Sequence, residues 1–152
     1  MNSAAGPKPR VLFACTYNAV RSPMAAALLV HYAGARLSVT SAGVIRGLND
    51  PFAMAVMDEI GIDLTSHEPR EFRDLGRHTF DTIITLSPEA HHHALEFTRI
   101  MLVDVEYWPT FDPSLLSGDV PRARKATAYR ALRDQLDGRI RNRFKIDGGP
   151  TV

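Results

Sequence analysis

Apolar positions along the chain form short continuous runs that alternate with longer periodic segments. The runs are rich in β-branched and aromatic residues, which is typical of strands buried in a parallel sheet. The predicted strands cover residues 10–15, 37–43, 80–87 and 100–108. The periodic segments predict helices at 22–33, 51–60 and 88–97, and a long C-terminal helix with the stripe Ala126, Tyr129, Leu132, Leu136 and Ile140.

Capping signals support two of these helices. Asp50 precedes Pro51 and Ser87 precedes Pro88, and a capping side chain before a proline is a common helix start. Gly61 then marks the end of the second helix. Strands that alternate with helices predict an α/β fold, with a parallel sheet covered by helices on both faces.

The length of 152 residues is typical of one domain. We expect a disordered N-terminal segment at 1–9, the α/β domain at 10–145 and a tail at 146–152. The N-terminus lacks the apolar core of a signal peptide, and the longest apolar run, 24–30, is too short to span a bilayer. These features predict a cytoplasmic protein with no membrane partner.

Charge is unevenly distributed although the net charge is only +1. Residues 122–145 contain nine Lys or Arg and two Asp, a local balance of 9 − 2 = +7, so the remainder carries −6. Basic stretches can bind nucleic acid. This one lacks interleaved aromatic residues, so we interpret it as a solvated helix face and expect no nucleic acid partner.

The only cysteine, Cys15, ends the first predicted strand. A single thiol cannot form an internal disulfide, which favours a reducing compartment. Ligands of parallel sheets bind beyond the carboxyl ends of the strands, so Cys15 lies where a functional group is expected. The alternative is that Cys15 is a small buried apolar side chain, as most lone cysteines are.

The loop after Cys15 has the chemistry of an oxyanion site. A strand that turns through about six residues into a helix can direct its amides 16–22 inward, next to the positive helix end. Arg21 adds a planar fork for two oxygens, and Ser22 can hydrogen-bond the sulfur. Asn18 tolerates a left-handed backbone and can hold the loop from inside. The same field favours the thiolate of Cys15, poised to attack phosphorus.

These residues resemble the low-molecular-weight protein tyrosine phosphatases. Residues 15–21 fit C-x5-R followed by Ser-Pro, within "VLFACTYNAVRSPMAAALL". The similarity continues through "TSAG", "GIDLTSHEPREF" at 61–72, "FDTIITL" at 80–86 and the Asp-Pro pair at 112–113. Thioredoxin-coupled arsenate reductases share this fold and loop.

The resemblance implies a four-stranded sheet in the order 2-1-3-4 and hydrolysis of phosphomonoesters through a phosphocysteine. Cys15 would be the nucleophile, Arg21 would steady the phosphoryl group, and Asp112 would be the general acid. The substrate would be a phosphorylated protein or a small phosphomonoester, and no cofactor or metal would be needed. The phosphate-binding loop would consist of Thr16, Tyr17, Asn18, Ala19, Val20, Arg21 and Ser22.

Two further residues match the family pattern, and three positions depart from it. His67 matches a histidine that holds the loop asparagine, and Arg70 matches a structural arginine. Tyr17 stands where the family commonly has a small residue, and Val20 replaces a second loop cysteine found in many members. Residues 114–116, Ser-Leu-Leu, replace an aromatic pair that walls the phosphotyrosine pocket, which leaves the substrate preference open.

Two alternatives remain open at this stage. The first is an arsenate reductase. Ser87 occupies the position of a resolving cysteine in those enzymes, so Cys15 would need an external small thiol. The second is a non-catalytic protein that binds an oxyanion or a phosphoprotein through the same loop.

Overall fold

A computed structural model describes residues 7–146, which fold into a single α/β domain. Two short 3₁₀ helices cover Phe72–Leu75 and Pro113–Leu115. The strands are β1 (Arg10–Cys15), β2 (Ser38–Gly43), β3 (Thr82–Thr85) and β4 (Asp104–Tyr107). The helices are α1 (Arg21–Ala33), α2 (Pro51–Asp58), α3 (Pro88–Phe97) and α4 (Arg122–Arg143).

The four strands form one parallel sheet in the order β2-β1-β3-β4. This confirms the predicted fold class and strand order. The alternation of side chains along β1 divides the core into two layers. Val11 and Phe13 pack with α1, α2 and α4, whereas Leu12 and Ala14 pack on the other face with α3.

The last two strands are shorter than the apolar runs predicted. β4 begins only at Asp104, because the preceding chain turns after α3 and leaves Ile100 and Leu102 outside the sheet. Both side chains are almost completely exposed. The prediction of a strand over 100–103 is therefore wrong: an apolar run formed a strand only where β3 offered a partner.

Both predicted helix caps are present. One carboxylate oxygen of Asp50 accepts hydrogen bonds from the backbone of Phe52 and Ala53 at the start of α2. The Ser87 hydroxyl accepts from Ala90 at the start of α3. These caps satisfy backbone amides of the first turn and so fix where α2 and α3 begin.

The basic helix α4 packs through Tyr129, Leu132, Leu136 and Ile140, most of the predicted stripe. Several of its charges are engaged in ion pairs instead of facing solvent alone. Arg130 and Arg133 both bind Glu59, and Arg143 binds Glu106. No helix in the described part of the chain is long and apolar enough to cross a membrane.

The predicted terminal segments lie largely outside the described residues, which exclude 1–6 and 147–152. Of the predicted N-terminal segment, Pro9 accepts a hydrogen bond from the backbone of Ser38. Of the predicted tail, Ile146 packs against the core layer that contains α4.

Candidate active site

The loops that follow the four strands meet at the carboxyl edge of the sheet. Cys15 ends β1, the segment 44–47 follows β2, Ser87 follows β3 and Asp112 follows β4. The segments after β1 and β4 line a narrow pocket there, through Cys15, Tyr17, Ala19, Val20, Arg21, Asp112 and Ser114. The parallel topology alone brings these distant residues to one place.

Cys15 lies at the bottom of this pocket and is only 2% exposed. Its Sγ lies 2.9 Å from the Ser22 Oγ and 3.4 Å from the Ser22 backbone nitrogen. Ser22 is the second residue of α1, so its amide belongs to the positive end of that helix. The Ser22 hydroxyl and amide are therefore both directed at the sulfur, at the N-terminal end of α1.

The loop carbonyls face away from the pocket. Amides of the segment 44–47 donate to the carbonyls of Cys15, Thr16 and Tyr17, at 3.2, 2.9 and 2.9 Å. In a trans peptide the C=O and the following N–H point in opposite directions. The amides of Thr16, Tyr17 and Asn18 are therefore directed away from the 44–47 segment, which leaves them free for an oxyanion.

Sequence reasoning missed the 44–47 segment, although two glycines mark it. A Cβ on Gly43 would lie 2.7 Å from the Asn18 nitrogen, and one on Gly47 would lie 2.9 Å from the Tyr17 Cβ. Only glycine permits the backbone after β2 to approach the loop this closely.

Asn18 holds the loop from inside. It is fully buried and has a φ of 53°, the left-handed conformation that the sequence suggested. Its Nδ2 donates to the hydroxyls of Ser22 and Ser41, both at 2.9 Å, and its Oδ1 accepts from the Arg70 backbone at 2.9 Å. Arg70 therefore contributes its amide to this network. Ser41, on β2, was not anticipated.

His67 contacts the same asparagine. Its Nε2 lies 2.8 Å from the Asn18 carbonyl oxygen, so this nitrogen must carry the proton and donate. Burial lowers the pKa of His67 below its ordinary value and outweighs the opposing effect of the Asn18 hydrogen bond; the nearby Arg70 charge lowers it further. The ring thus supports the loop in its neutral form, as expected for a residue that positions Asn18.

Arg21 is 6% exposed and is held by backbone carbonyls. Its Nη1 donates to the carbonyls of Leu86 and Thr110, at 3.3 and 2.9 Å, after β3 and β4 respectively. Its Nη2 lies 3.4 Å from the Thr16 hydroxyl and 3.6 Å from the Asp112 Oδ2. These contacts fix the guanidinium beside the pocket. The two carbonyl partners carry no sequence signal, because any residue type supplies them.

Asp112 is 7% exposed and faces Arg21 across the pocket. Its Oδ1 accepts from the Ser114 amide at 2.9 Å and from the Ser114 hydroxyl at 2.7 Å. The structure thus brings the predicted acid into the same pocket as the predicted nucleophile. Its catalytic role stays a prediction.

Ser87 lies beside the loop that follows β1. Its hydroxyl is 3.0 Å from that of Thr16, the residue after Cys15. The exposed Glu89 also accepts from the Thr16 hydroxyl, at 3.3 Å. The structure therefore places the Ser87 hydroxyl next to the residue that follows Cys15.

The described residues contain no group of three or more His, Cys, Asp or Glu side chains that could hold a metal ion. Within the histidine run 91–93, His91 is half-buried, hydrogen-bonds Thr85 at 2.9 Å and stacks on Tyr107. His93 packs on Phe72 instead. The first and the last histidine of the run therefore each contact side chains from other parts of the fold.

Comparison with known proteins places this chain in a family. The chain is 26% identical to a glutaredoxin arsenate reductase from Synechocystis over 88% of its length and 94% of that protein. It is 31% identical to an arsenate reductase from Bacillus licheniformis, over 93% of its length and 98% of that protein.

Solved structures share the fold. A low molecular weight protein tyrosine phosphatase from T. tengcongensis superimposes with a TM-score of 0.75 at 22% identity, over 91% of this chain and 99% of that one. The family model for low molecular weight phosphotyrosine protein phosphatases matches residues 10–145, from the start of β1 to two residues beyond α4. The chain therefore belongs to the low molecular weight phosphotyrosine protein phosphatase family.

Proposed function

We propose that this protein hydrolyses phosphomonoesters through a phosphocysteine at Cys15. One observation carries the proposal: the buried carboxyl group of Asp112 lines the same narrow pocket as the Cys15 thiol and the Arg21 guanidinium. A nucleophile, a cation and an acid in one pocket are the three groups that phosphoryl transfer from an ester to a thiol requires.

In the first step the Cys15 thiolate attacks phosphorus in line with the ester oxygen. A sulfur–phosphorus bond forms, the phosphorus–oxygen bond breaks, and Asp112 gives its proton to the leaving oxygen. Arg21 and the inward amides of the loop stabilise the charge on the three remaining phosphoryl oxygens. The Ser22 hydroxyl, 2.9 Å from the sulfur, supports the thiolate before attack and after release.

In the second step a water molecule replaces the ester oxygen. Asp112, now a carboxylate, accepts a proton from the water as its oxygen attacks phosphorus. The sulfur–phosphorus bond breaks and returns the electron pair to Cys15, so inorganic phosphate leaves and both groups regain their initial states.

The surroundings of the pocket favour aryl esters. Tyr17 is 43% exposed, Phe111 is 59% exposed and Leu115 is 71% exposed, and all three lie on the loops that form the pocket. Phe111, immediately before the acid, offers an aromatic surface although the usual pair after Asp112-Pro113 is absent. Such side chains can pack against the ring of a phosphotyrosine, free or in a protein.

A second candidate is arsenate reduction, which the names of the curated relatives favour. Cys15 would displace hydroxide from arsenate to form a thiol–arsenate adduct. An external thiolate would then attack the sulfur, and the electron pair of the sulfur–arsenic bond would reduce arsenic to arsenite. A mixed disulfide would remain on Cys15 for a second external thiol, because the chain has no other cysteine to resolve it.

Matched assays on one preparation separate the candidates. We expect hydrolysis of aryl phosphates at mildly acidic pH, its loss in Cys15→Ser with retained vanadate binding, and no arsenate-dependent oxidation of glutathione. Iodoacetate should alkylate Cys15 faster than a free thiol at the same pH, and vanadate should block it. Arsenate-dependent thiol oxidation without ester hydrolysis would favour the reductase, and phosphopeptide binding without turnover would favour a binding protein.

A further inference from the structure

Ser114 holds one oxygen of the proposed acid with two donors. Its amide lies 2.9 Å and its hydroxyl 2.7 Å from the Asp112 Oδ1. The intervening Pro113 is buried and fixes the backbone between them. Ser114 itself is exposed at the pocket, so its side chain serves no visible packing role.

The two contacts decide which carboxylate oxygen faces the reaction. The terminal torsion of an aspartate is broad and roughly two-fold, so a free side chain can exchange its oxygens or tilt between them. Since Ser114 occupies Oδ1, the oxygen that faces Arg21 is Oδ2, 3.6 Å from Nη2. Oδ2 is therefore the oxygen without a Ser114 contact, on the side of the carboxyl group that faces Arg21.

The chain repeats the same turn where no catalysis is expected. Asp63 Oδ1 accepts from the amide of Thr65 at 2.8 Å and from its hydroxyl at 2.7 Å. This carboxylate is exposed, and the Thr65 hydrogen bonds lower its pKa below the ordinary value. The Asp-x-Ser/Thr turn is therefore a local device that forms without the pocket, and residue 65 offers a matched control.

We propose that Ser114 is a positioning residue for general acid catalysis, which holds Asp112 so that Oδ2 delivers the proton to the leaving oxygen. The inference rests on the proposed hydrolysis of phosphomonoesters. It assigns a function to a serine in a segment that lacks the aromatic pair of many family members. Its consequence is selective, because only leaving groups that need a proton depend on the direction of Oδ2.

The test compares Ser114→Ala with Thr65→Ala by kcat/KM on phenyl phosphate and on 2,4-dinitrophenyl phosphate. For Ser114→Ala we expect a fall of about tenfold on phenyl phosphate, a modest part of what an acid contributes, and a change within about twofold on the activated ester. Ser114→Thr should keep the wild-type kcat/KM on phenyl phosphate, because threonine also supplies a hydroxyl. Thr65→Ala should leave kcat/KM unchanged on both substrates. Inhibition by vanadate should stay the same in all variants, because the loop that binds the oxyanion is untouched.

Three results overturn the inference. Equal losses on both esters would indicate a structural role, no loss would show that the hydroxyl is dispensable, and an equal loss in Thr65→Ala would show a general effect on folding. In each of these cases the wild-type protein still hydrolyses both esters, so the proposed function stands. A wild-type protein that hydrolyses neither ester removes the proposed function, and this inference with it.

Discussion

Residues 63–65 and 112–114 form the same local structure in different surroundings. Each turn begins with an aspartate whose Oδ1 accepts from the amide and the hydroxyl of the residue two positions later. Asp63 then faces solvent, whereas Asp112 is 7% exposed and 3.6 Å from the Arg21 guanidinium. The sequence near each aspartate thus sets the hydrogen bonds to its Oδ1. Its burial and its distance from other charged side chains decide whether it can take part in catalysis.

The largest expected difference between the two turns appears when each aspartate is replaced by asparagine. Asp112→Asn should lower kcat/KM on phenyl phosphate by about 10²–10⁴-fold, because an amide cannot protonate the leaving oxygen. Asp63→Asn should leave it within about twofold. The loss in Asp112→Asn should be much smaller on an activated aryl phosphate. Similar losses for both substrates would count against Asp112 as the acid.

A smaller effect is expected when the phosphate loop is moved while both turns remain intact. Gly43→Ala places a Cβ 2.7 Å from the Asn18 nitrogen and 2.9 Å from the Tyr17 carbonyl carbon, both of them backbone atoms. The strain should destabilise the protein by about 1–3 kcal/mol in chemical denaturation and lower activity on good and poor leaving groups alike. Gly118→Ala is the control, since a Cβ there contacts nothing within 4 Å. Equal stability of the two variants would contradict the close approach.

His67, two residues after the first turn, should make the stability of the protein depend on pH. Burial lowers the pKa of His67, so the unfolded chain binds a proton more readily than the folded one. This contribution to stability is complete above the unfolded pKa of about 6.5 and is lost as the pH falls towards the folded pKa. Thermal melting should therefore show a larger drop in Tm from pH 7.5 to pH 5 for the wild type than for His67→Gln, which cannot titrate. Parallel curves would contradict a buried neutral histidine.

The smallest effect concerns the exposed turn alone. In Thr65→Ala the pKa of Asp63 should rise towards its ordinary value, because the hydroxyl hydrogen bond is its largest lowering cause. An NMR titration of the Asp63 carboxyl measures the change directly, while phosphatase activity should stay constant. An unchanged titration would show that the Thr65 hydroxyl does not stabilise the Asp63 carboxylate.

Much of the fold followed from short-range patterns. The caps at Asp50 and Ser87 were visible because a capping side chain acts on amides two or three residues away. The predicted strand over 100–103 was wrong because strand formation needs a partner, and no local pattern shows where the partner ends. The basic face of α4 was interpreted as solvated because Glu59 and Glu106, its partners, are distant in sequence.

In the site, too, the residues close together in sequence were predicted and the distant backbone groups were not. Cys15, Asn18, Arg21 and Ser22 stand within eight residues of one another, so their spacing alone indicated an oxyanion loop. The amides of 44–47 and the carbonyl of Thr110 were not anticipated. Backbone groups carry no residue-specific signal, and their contribution depends on which chain segments pack together.

The sequence by itself determined the alternation of strands and helices and the loop between Cys15 and Ser22. All of these depend on interactions between residues close together in the chain. Only the tertiary structure decided that one turn faces solvent and the other meets Arg21, because the parallel sheet brings the ends of β1, β3 and β4 to one edge. Burial and charge in that pocket arise from contacts between residues about ninety positions apart, such as Arg21 and Thr110.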